Sequence, residues 1–587
     1  EVKEYSETLQ AFFQKYPDVA THVDNLFGNM RSVSRHAGGV VVAENLDHHM
    51  PLINSGGVIQ TPWSEGQNVR HLEPLGFIKF DLLGLSTLRM ISGAIRHILK
   101  RAHGIEEPTF EQVRDYYNTN LHPDTIDFDN QEVWREVFHK GKWAGIFQMT
   151  NGGAQRFCQE AQPESLLDFA AVTAIFRPGP LSAKAHSLYV ANKSNPSQVH
   201  YEHPIIKEVL GDTYGLLVFQ EQLAMLAHKL GDDFSLDEGN LLRKVLTKKG
   251  TGKDSVKTKL YNKFVKGCNN HGLSEEVAKN LWAKMEFFSG YGFNLSHAVS
   301  YGAVSFQCAW LSYYYPVEWM AAFLDKEPED RKAQAINTAK SFGFEVVPPS
   351  INKSGRVWEI AEDGNTLIQP LAGIKGLGDS AIDQIVANRP FNSIEEFLFN
   401  EDITYSKLNK KALDVLVRSQ SLNELMDDRF TGLQHFWSAV AVDRPRKEKN
   451  LLDNIDLYAP EGDFSEEEKI EHFASLTGIF PIHEIMPQEI QDNLMNRGCP
   501  PISEYDPDLQ LVWFIPREVK VKKTKNGKEY WIIHTTDSNS HDARIRCWGV
   551  KDNDRISLNK VYIANLEYNE KWGFSTRSIK RSFRRLT

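Results

Sequence analysis

The period of the apolar positions changes several times along the chain, and each change predicts a different kind of element. Near the start, "HAGGVVVAENL" (36–46) alternates like a strand and is punctuated by glycine. "GFIKFDLL" (76–83) predicts a second strand, and "STLRMISGAIRHILKR" (86–101) predicts the helix that follows. Ser86 is placed to cap that helix, and Leu88, Ile91, Ile95 and Ile98 form its apolar stripe. Residues 101–325 read as mostly helical. Within them "FSLDEGNLLRKVLTKK" opens on a capping box, Ser235 with Glu238. Leu241, Leu242 and Val245 are expected on its inner side, with Arg243, Lys244 and Thr247 turned away. Short helices with glycine marks fill 326–440, and a charge-rich linker is expected from 441 to 505. From 506 the period becomes two. "LVWFIPREVKVKKTKNGKEYWIIHTT" is two strands about the hairpin signal Asn526-Gly527, and "ARIRCWG", "KVYIANLEY" and "WGFSTRS" supply three more.

Composition adds a class and removes some others. The 587 residues, 41% hydrophobic and 25% charged, are those of a globular multidomain chain. Five scattered cysteines with no C-x-x-C pair exclude a zinc ribbon or a disulfide framework and point to a reducing, cytoplasmic setting. The uncharged stretch 298–317 contains three Ser, four Tyr, a Gln and a Pro, so a buried helix is expected there, not a membrane span. The first residue is Glu and no leader pattern follows, so the chain is expected to begin partway through a longer protein. Net charge is −10, yet residues 243–266 carry nine basic residues against one acid, and 571–587 six against none. Such segregation suits contact with a polyanion on one face.

The chemistry candidates are few. No P-loop, H-E-x-x-H or G-x-S-x-G is present. Lys79 and Asp81 stand alone in an apolar segment, where a buried carboxylate needs a positive partner. "DFD" (127–129) has metal-pair spacing, while "GDD" (231–233) fits a solvated turn before the capping box. Gly376 and Gly378 let backbone N–H groups approach a phosphate, although a plain helix-to-helix turn explains them equally.

Seven segments, among them "SRHAGGVVVA", "IKFDLLGLSTL", "AIFRPGPLSA" and "FSGYGFNLSHAVSYGAVSFQCAWL", occur in the order seen in family C bacterial replicative polymerases, the DNA polymerase III alpha subunits. The chain resembles the C-terminal part of that family. The resemblance implies an α+β multidomain fold: the end of a polymerase-beta-like palm (1–100), helical fingers (101–325), a tandem helix-hairpin-helix domain (326–440), a linker (441–505) and an OB-fold barrel (506–587). It implies that Asp81 is the third metal-binding carboxylate of the palm and that Lys79 faces the triphosphate of an incoming dNTP. Arg177, Arg243, Lys244 and His297 become nucleotide contacts, and Lys248, Lys249, Gly376 and Gly378 contacts to primer-template DNA. Two Mg²⁺ about 4 Å apart need several carboxylates. The family's "PDFDxDF" element, which supplies two, has no match here, nor has its leading PHP domain. A partner chain bearing the D-x-D element is therefore expected. "FNLSH" has Leu295 where the family has lysine. "NIDLY" (454–458) sits where the family keeps its sliding-clamp peptide, with Asn454, Leu457 and Tyr458 as the contacts; a stray apolar pair in a linker reads the same way. The alternative function is a non-catalytic DNA-binding scaffold derived from such a polymerase.

Overall fold

A computed structural model describes residues 7–26, 29, 35–65, 70–247, 254–289, 292–328, 331–524, 527–538, 543–551, 553–569 and 573–586. The chain divides into two compact units, Glu1–Ser86 and Thr87–Thr587, so the first break falls ahead of the expected boundary at residue 100.

The first unit holds helices Glu7–Lys15 and Pro17–Leu26 and two small antiparallel sheets. Strand β1 (Gly39–Val41) pairs with β4 (Lys79–Asp81), and β2 (Ile53–Ser55) with β3 (Val58–Gln60). Both strands expected in this region are present. Their setting differs from the expectation: Val42, Ile78, Leu82 and Leu83 are 66–74% exposed, so the segment around Asp81 is apolar without being interior.

The second unit is built on a helical core. Helix Ser86–His103 buries Met90, Ile91, Ala94, Ile95 and Ile98, whereas Leu88 of the expected stripe is exposed. That face packs with Trp134, Phe169, Phe306 and Trp319. Helix Leu295–Tyr314 is the buried helix that its uncharged sequence predicts, and among the described residues no helix is long and apolar enough to cross a membrane. A second core gathers residues 206–285 and a third residues 351–455. A small sheet of β5 (Glu345–Val347), β6 (Glu359–Ile360) and β7 (Thr366–Ile368) lies before the third. The interval read as a linker folds into helices: Glu448–Leu457 and Glu466–Thr477 bury Leu451, Ile455, Ile470 and Phe473. Its charge is real, but four well-spaced apolar residues suffice to pack two short amphipathic helices.

The C-terminal region is one curled sheet of seven strands in the order β12-β13-β10-β9-β8-β11-β14. They are β8 (Leu511–Lys523), β9 (Glu529–Thr536), β10 (Ala543–Cys547), β11 (Tyr562–Asn565), β12 (Glu567–Asn569), β13 (Gly573–Thr576) and β14 (Phe583–Arg585). β8 and β9 form the antiparallel pair that the hairpin signal predicts, with Asn526 itself outside the described residues. The run "KVYIANLEY" divides into β11 and β12, and β14 is a further strand too short to show a period.

Candidate active site

In the register of β1 with β4, Gly39 lies opposite Asp81 and Val41 opposite Lys79. Alternation puts the Lys79 and Asp81 side chains on one face of the pair. Lys79 Nζ is 3.1 Å from Asp81 Oδ1 and also donates to the Glu65 carbonyl at 3.4 Å. The Lys79 side chain is 19% exposed and that of Asp81 47%. This overturns the premise that a desolvated carboxylate needs rescue, because Asp81 keeps half its surface in water. The two glycines explain how the strands come so close. A Cβ on Gly38 would stand 2.5 Å from the Leu82 carbonyl oxygen, and one on Gly39 2.9 Å from His36 Nδ1 and 3.2 Å from Lys79 Cε. His36 is a residue that the sequence reading passed over. Its Nδ1 accepts the N–H groups of Gly38 (3.1 Å) and Gly39 (2.6 Å). The neutral ring therefore carries its proton on Nε2, which lies 3.9 Å from Asp81 Oδ1. The signal was present as a histidine two residues ahead of a Gly-Gly pair whose amides are free to cap it.

Asp81 offers the hard oxygen that Mg²⁺ prefers. Among the described residues no group of three His, Cys, Asp or Glu side chains is placed to hold a metal. Asp81 thus fits as one ligand of several and does not by itself form a two-ion site.

The second unit positions the other candidates on buried supports. Arg177 ends the segment after helix Leu166–Ile175; the proline that follows holds it extended, at φ −143°. Its guanidinium lies 4.9 Å above the Phe293 ring. Phe293 is fixed by its backbone, donating to the Val218 carbonyl (3.2 Å) and accepting from Gln220 N–H (2.8 Å). Its ring meets that of His297 at 5.4 Å, His297 meets Tyr301 at 4.1 Å, and Tyr301 meets Phe147 at 5.2 Å. Arg177 and His297, 120 positions apart, are joined by this ladder. Asn294 caps the helix that carries His297, accepting its N–H at 2.9 Å. Glu221 accepts from the Asn294 side chain (2.7 Å) and from Leu295 N–H (2.9 Å), so a carboxylate already faces this helix start. Leu295 packs on the main core, which is what an apolar residue in place of lysine does there.

Arg243 and Lys244 lie on a different helix, Leu236–Thr247. The capping box is present: Glu238 N–H donates to Ser235 Oγ (3.1 Å) and Ser235 N–H to Glu238 Oε2 (3.0 Å). The wheel needs correcting, because Leu242, Val245 and Leu246 are buried and Leu241 is 37% exposed. Lys244 is exposed; Arg243 is half-buried and engaged within the protein. Part of the basic run is tied to acids. Lys263 Nζ meets Glu238 Oε2 at 2.7 Å, Lys266 meets Asp232 at 2.5 Å, and Lys257 pairs with Glu286. "GDD" is hence an anchor for the helix Asp254–Asn270. Lys248 and Lys249 lie outside the described residues. In "DFD", Asp127 Oδ1 accepts Asp129 N–H at 3.0 Å and closes a turn.

Comparison with known proteins fits this division. The bacterial DNA polymerase III alpha NTPase domain matches residues 2–84, the alpha subunit finger domain residues 101–272, and a helix-hairpin-helix motif residues 343–432. DNA polymerase III subunit alpha of Aquifex aeolicus is 29% identical over 551 residues, 92% of this chain and 44% of that protein. The Campylobacter jejuni subunit is 32% identical over 443 residues (72% and 35%), and that of Helicobacter pylori strain J99 33% over 468 (77% and 36%). The chain belongs to the bacterial DNA polymerase III alpha family. It spans less than half the length of these alpha-subunit relatives.

Two further sets of candidate residues lie in the second unit. Gly376 has φ +93°, which only glycine adopts without strain, and Gly378 is the cap of helix Asp379–Asn388. Against that turn stands the start of helix Lys410–Arg418: Asn409 Oδ1 accepts Ala412 N–H (3.0 Å), and a Cβ on Gly376 would lie 3.5 Å from Lys411 Cε. The clamp candidate differs from a free peptide. Asn454 and Leu457 lie in helix Glu448–Leu457, Asn454 donates to the carbonyls of Ala439 (3.2 Å) and Asp443 (2.7 Å), and the Tyr458 hydroxyl donates to Asp443 at 2.5 Å. Leu457 alone of the three is exposed for docking, at 71%.

Proposed function

We propose that this chain carries part of the active centre of a replicative DNA polymerase, which adds dNTPs to a primer 3′ end under template direction. The observation behind this is the Lys79–Asp81 pair, side by side on one strand and half open to water, with His36 beside it. In this reading the β1–β4 corner is the end of the palm and the seven-stranded sheet is an OB-fold. Asp81 supplies one metal ligand, and polypeptide beyond these 587 residues, a longer version of this chain or a partner chain, supplies a D-x-D element. Bound Mg²⁺ would there offset charge on the triphosphate and the primer oxygen. Asp81 would be one of the residues holding the ion, and Lys79 beside it would meet the triphosphate. His36 turns Nε2 toward the carboxylate from 3.9 Å, too far for a hydrogen bond. Arg177 and His297 present the ladder to the nucleotide, Lys244 and Arg243 add positive charge, and Gly376, Gly378, Lys248 and Lys249 contact the duplex. A sliding clamp would take Leu457, provided that Asn454 and Tyr458 let go of Asp443.

The test is primer extension by this chain with and without a polypeptide bearing the D-x-D element. Extension only in the mixture, lost again with Asp81→Asn, is expected. Undiminished extension by the Asp81→Asn mixture would refute the assignment. Duplex affinity should fall in a Gly376→Ala/Gly378→Ala double variant; equal affinity removes the phosphate-cradle role.

A further inference from the structure

In the finger region a cavity of about 340 Å³ lies between the segment 174–188 and the helix Glu275–Ser289. It adjoins a second hollow of about 440 Å³ that shares Ile206, Leu281 and Phe287. Its size falls within the range of small-molecule sites, roughly 300–1,000 Å³, and like them it is mostly apolar with a few polar groups at the mouth. Ile175, Leu216 and Val218 form the interior, while Leu188 (54%) and Phe287 (62%) are exposed at the rim. The rim also carries Glu202 and Lys284, whose charged atoms are 3.7 Å apart. Of the two, Lys284 is the more exposed, 65% against 36%, and at 3.7 Å its pairing with Glu202 is longer than a hydrogen bond, so its ammonium keeps donors for an anion.

The walls of the cavity give it a consequence. One wall, Ala174, Ile175 and Pro180, flanks Arg177 in sequence. The lining also includes Val218, from a separate segment, whose carbonyl accepts the Phe293 N–H. The two halves of the Arg177–Phe293 contact are therefore hung from two segments that line one cavity.

We infer that this cavity binds a compact aromatic or alicyclic anion, its apolar body among Ile175, Leu216 and Val218 and its charge at Lys284, and that filling it is felt at the Arg177–Phe293 contact. A ligand there is a regulator or inhibitor of nucleotide capture, a consequence that rests on the proposed role of Arg177; the site itself does not. The full chain is titrated with 1-anilinonaphthalene-8-sulfonate, read by fluorescence. Ala185→Trp fills the interior and should weaken binding by about tenfold or more, and Lys284→Glu by several-fold, while Leu82→Ser/Leu83→Ser on the first unit leaves this component unchanged. Hydrogen exchange at the Phe293 and Leu181 amides should slow when the probe is bound. Full-strength binding by Lys284→Glu and by a folded Ala185→Trp would place the probe elsewhere and overturn the site. Should Ala185→Trp not fold, Leu188→Trp at the exposed rim takes its place with the same expectation. Binding that leaves exchange at Phe293 unaltered overturns the link to Arg177. Loss of extension in Arg177→Ala with probe binding intact bears on the polymerase reading alone.

Discussion

Asp81 and Arg177 rest on opposite kinds of support. Asp81 sits on a three-residue strand whose apolar neighbours face water. Arg177 follows a helix that buries Phe169, Ala170, Ala171 and Val172, and its ring partner is pinned by two backbone hydrogen bonds. The difference teaches where function and stability are separable. At the first site little is buried, so a change at Asp81 should spare the fold whatever it does to the proposed chemistry. At the second, each charged group is seated on packing, and a change disturbs both.

The sharpest way to break this comparison is Asp81→Asn. Extension in the completed system should fall on the order of 10³-fold with an unchanged melting temperature. A lowered melting temperature would mean that the carboxylate is structural after all. The next largest effect is expected at Asp168, which accepts from Tyr189 and Tyr214 hydroxyls (3.1 and 3.2 Å) and pairs with Lys193 (3.0 Å) on the helix leading to Arg177. Burial, reinforced by the Asp168 charge, pushes both tyrosines well above their ordinary range, so they remain donors. Asp168→Ala strands Lys193, whose side chain is 12% exposed, and should cost about 3–5 kcal/mol in denaturant titration. Arg177→Ala is expected to reduce dNTP-dependent extension by roughly 10² and, through loss of the ring contact, to lower stability by about 1 kcal/mol; Phe293→Leu should lower stability similarly and extension less. Equal losses from both would make the ladder, not the cation, the working part.

The last effect concerns pH and is read as a slope. Burial holds the Asp325 carboxyl up to about 7 from an ordinary 3.8, against the opposing Trp358 N–H that it accepts at 3.0 Å. Between those values the unfolded chain has released a proton that the folded chain keeps. This contribution to stability is complete below 3.8 and is lost as pH rises to about 7. Asp325→Asn should remove a slope of roughly 1.4 kcal/mol per pH unit from the stability of the second unit in that window; parallel profiles would refute it.

Legibility followed the same division. Helices with one strong apolar stripe, such as Ser86–His103 and Leu295–Tyr314, are visible because burial and period coincide. The Ser235–Glu238 box is visible because a cap is local chemistry. The solvent-facing β1–β4 corner misled, because apolar composition cannot state which face is covered. His36 and Phe293 were hidden since their partners come from backbone amides and from residues far along the chain. The interval 441–505 passed for a linker because the few apolar residues of its first part, 441–470, are diluted by charge.

The ties of Lys257, Lys263 and Lys266 to acids bear on how tightly this region can grip a polyanion. Each phosphate neutralised by a free cation releases a condensed counterion, and the salt dependence of binding counts those cations. Among the described residues, at least three of the nine positive charges between 243 and 266 already have their counterions, built into the fold. Affinity should therefore fall with salt less steeply than the sequence's own charge count implies.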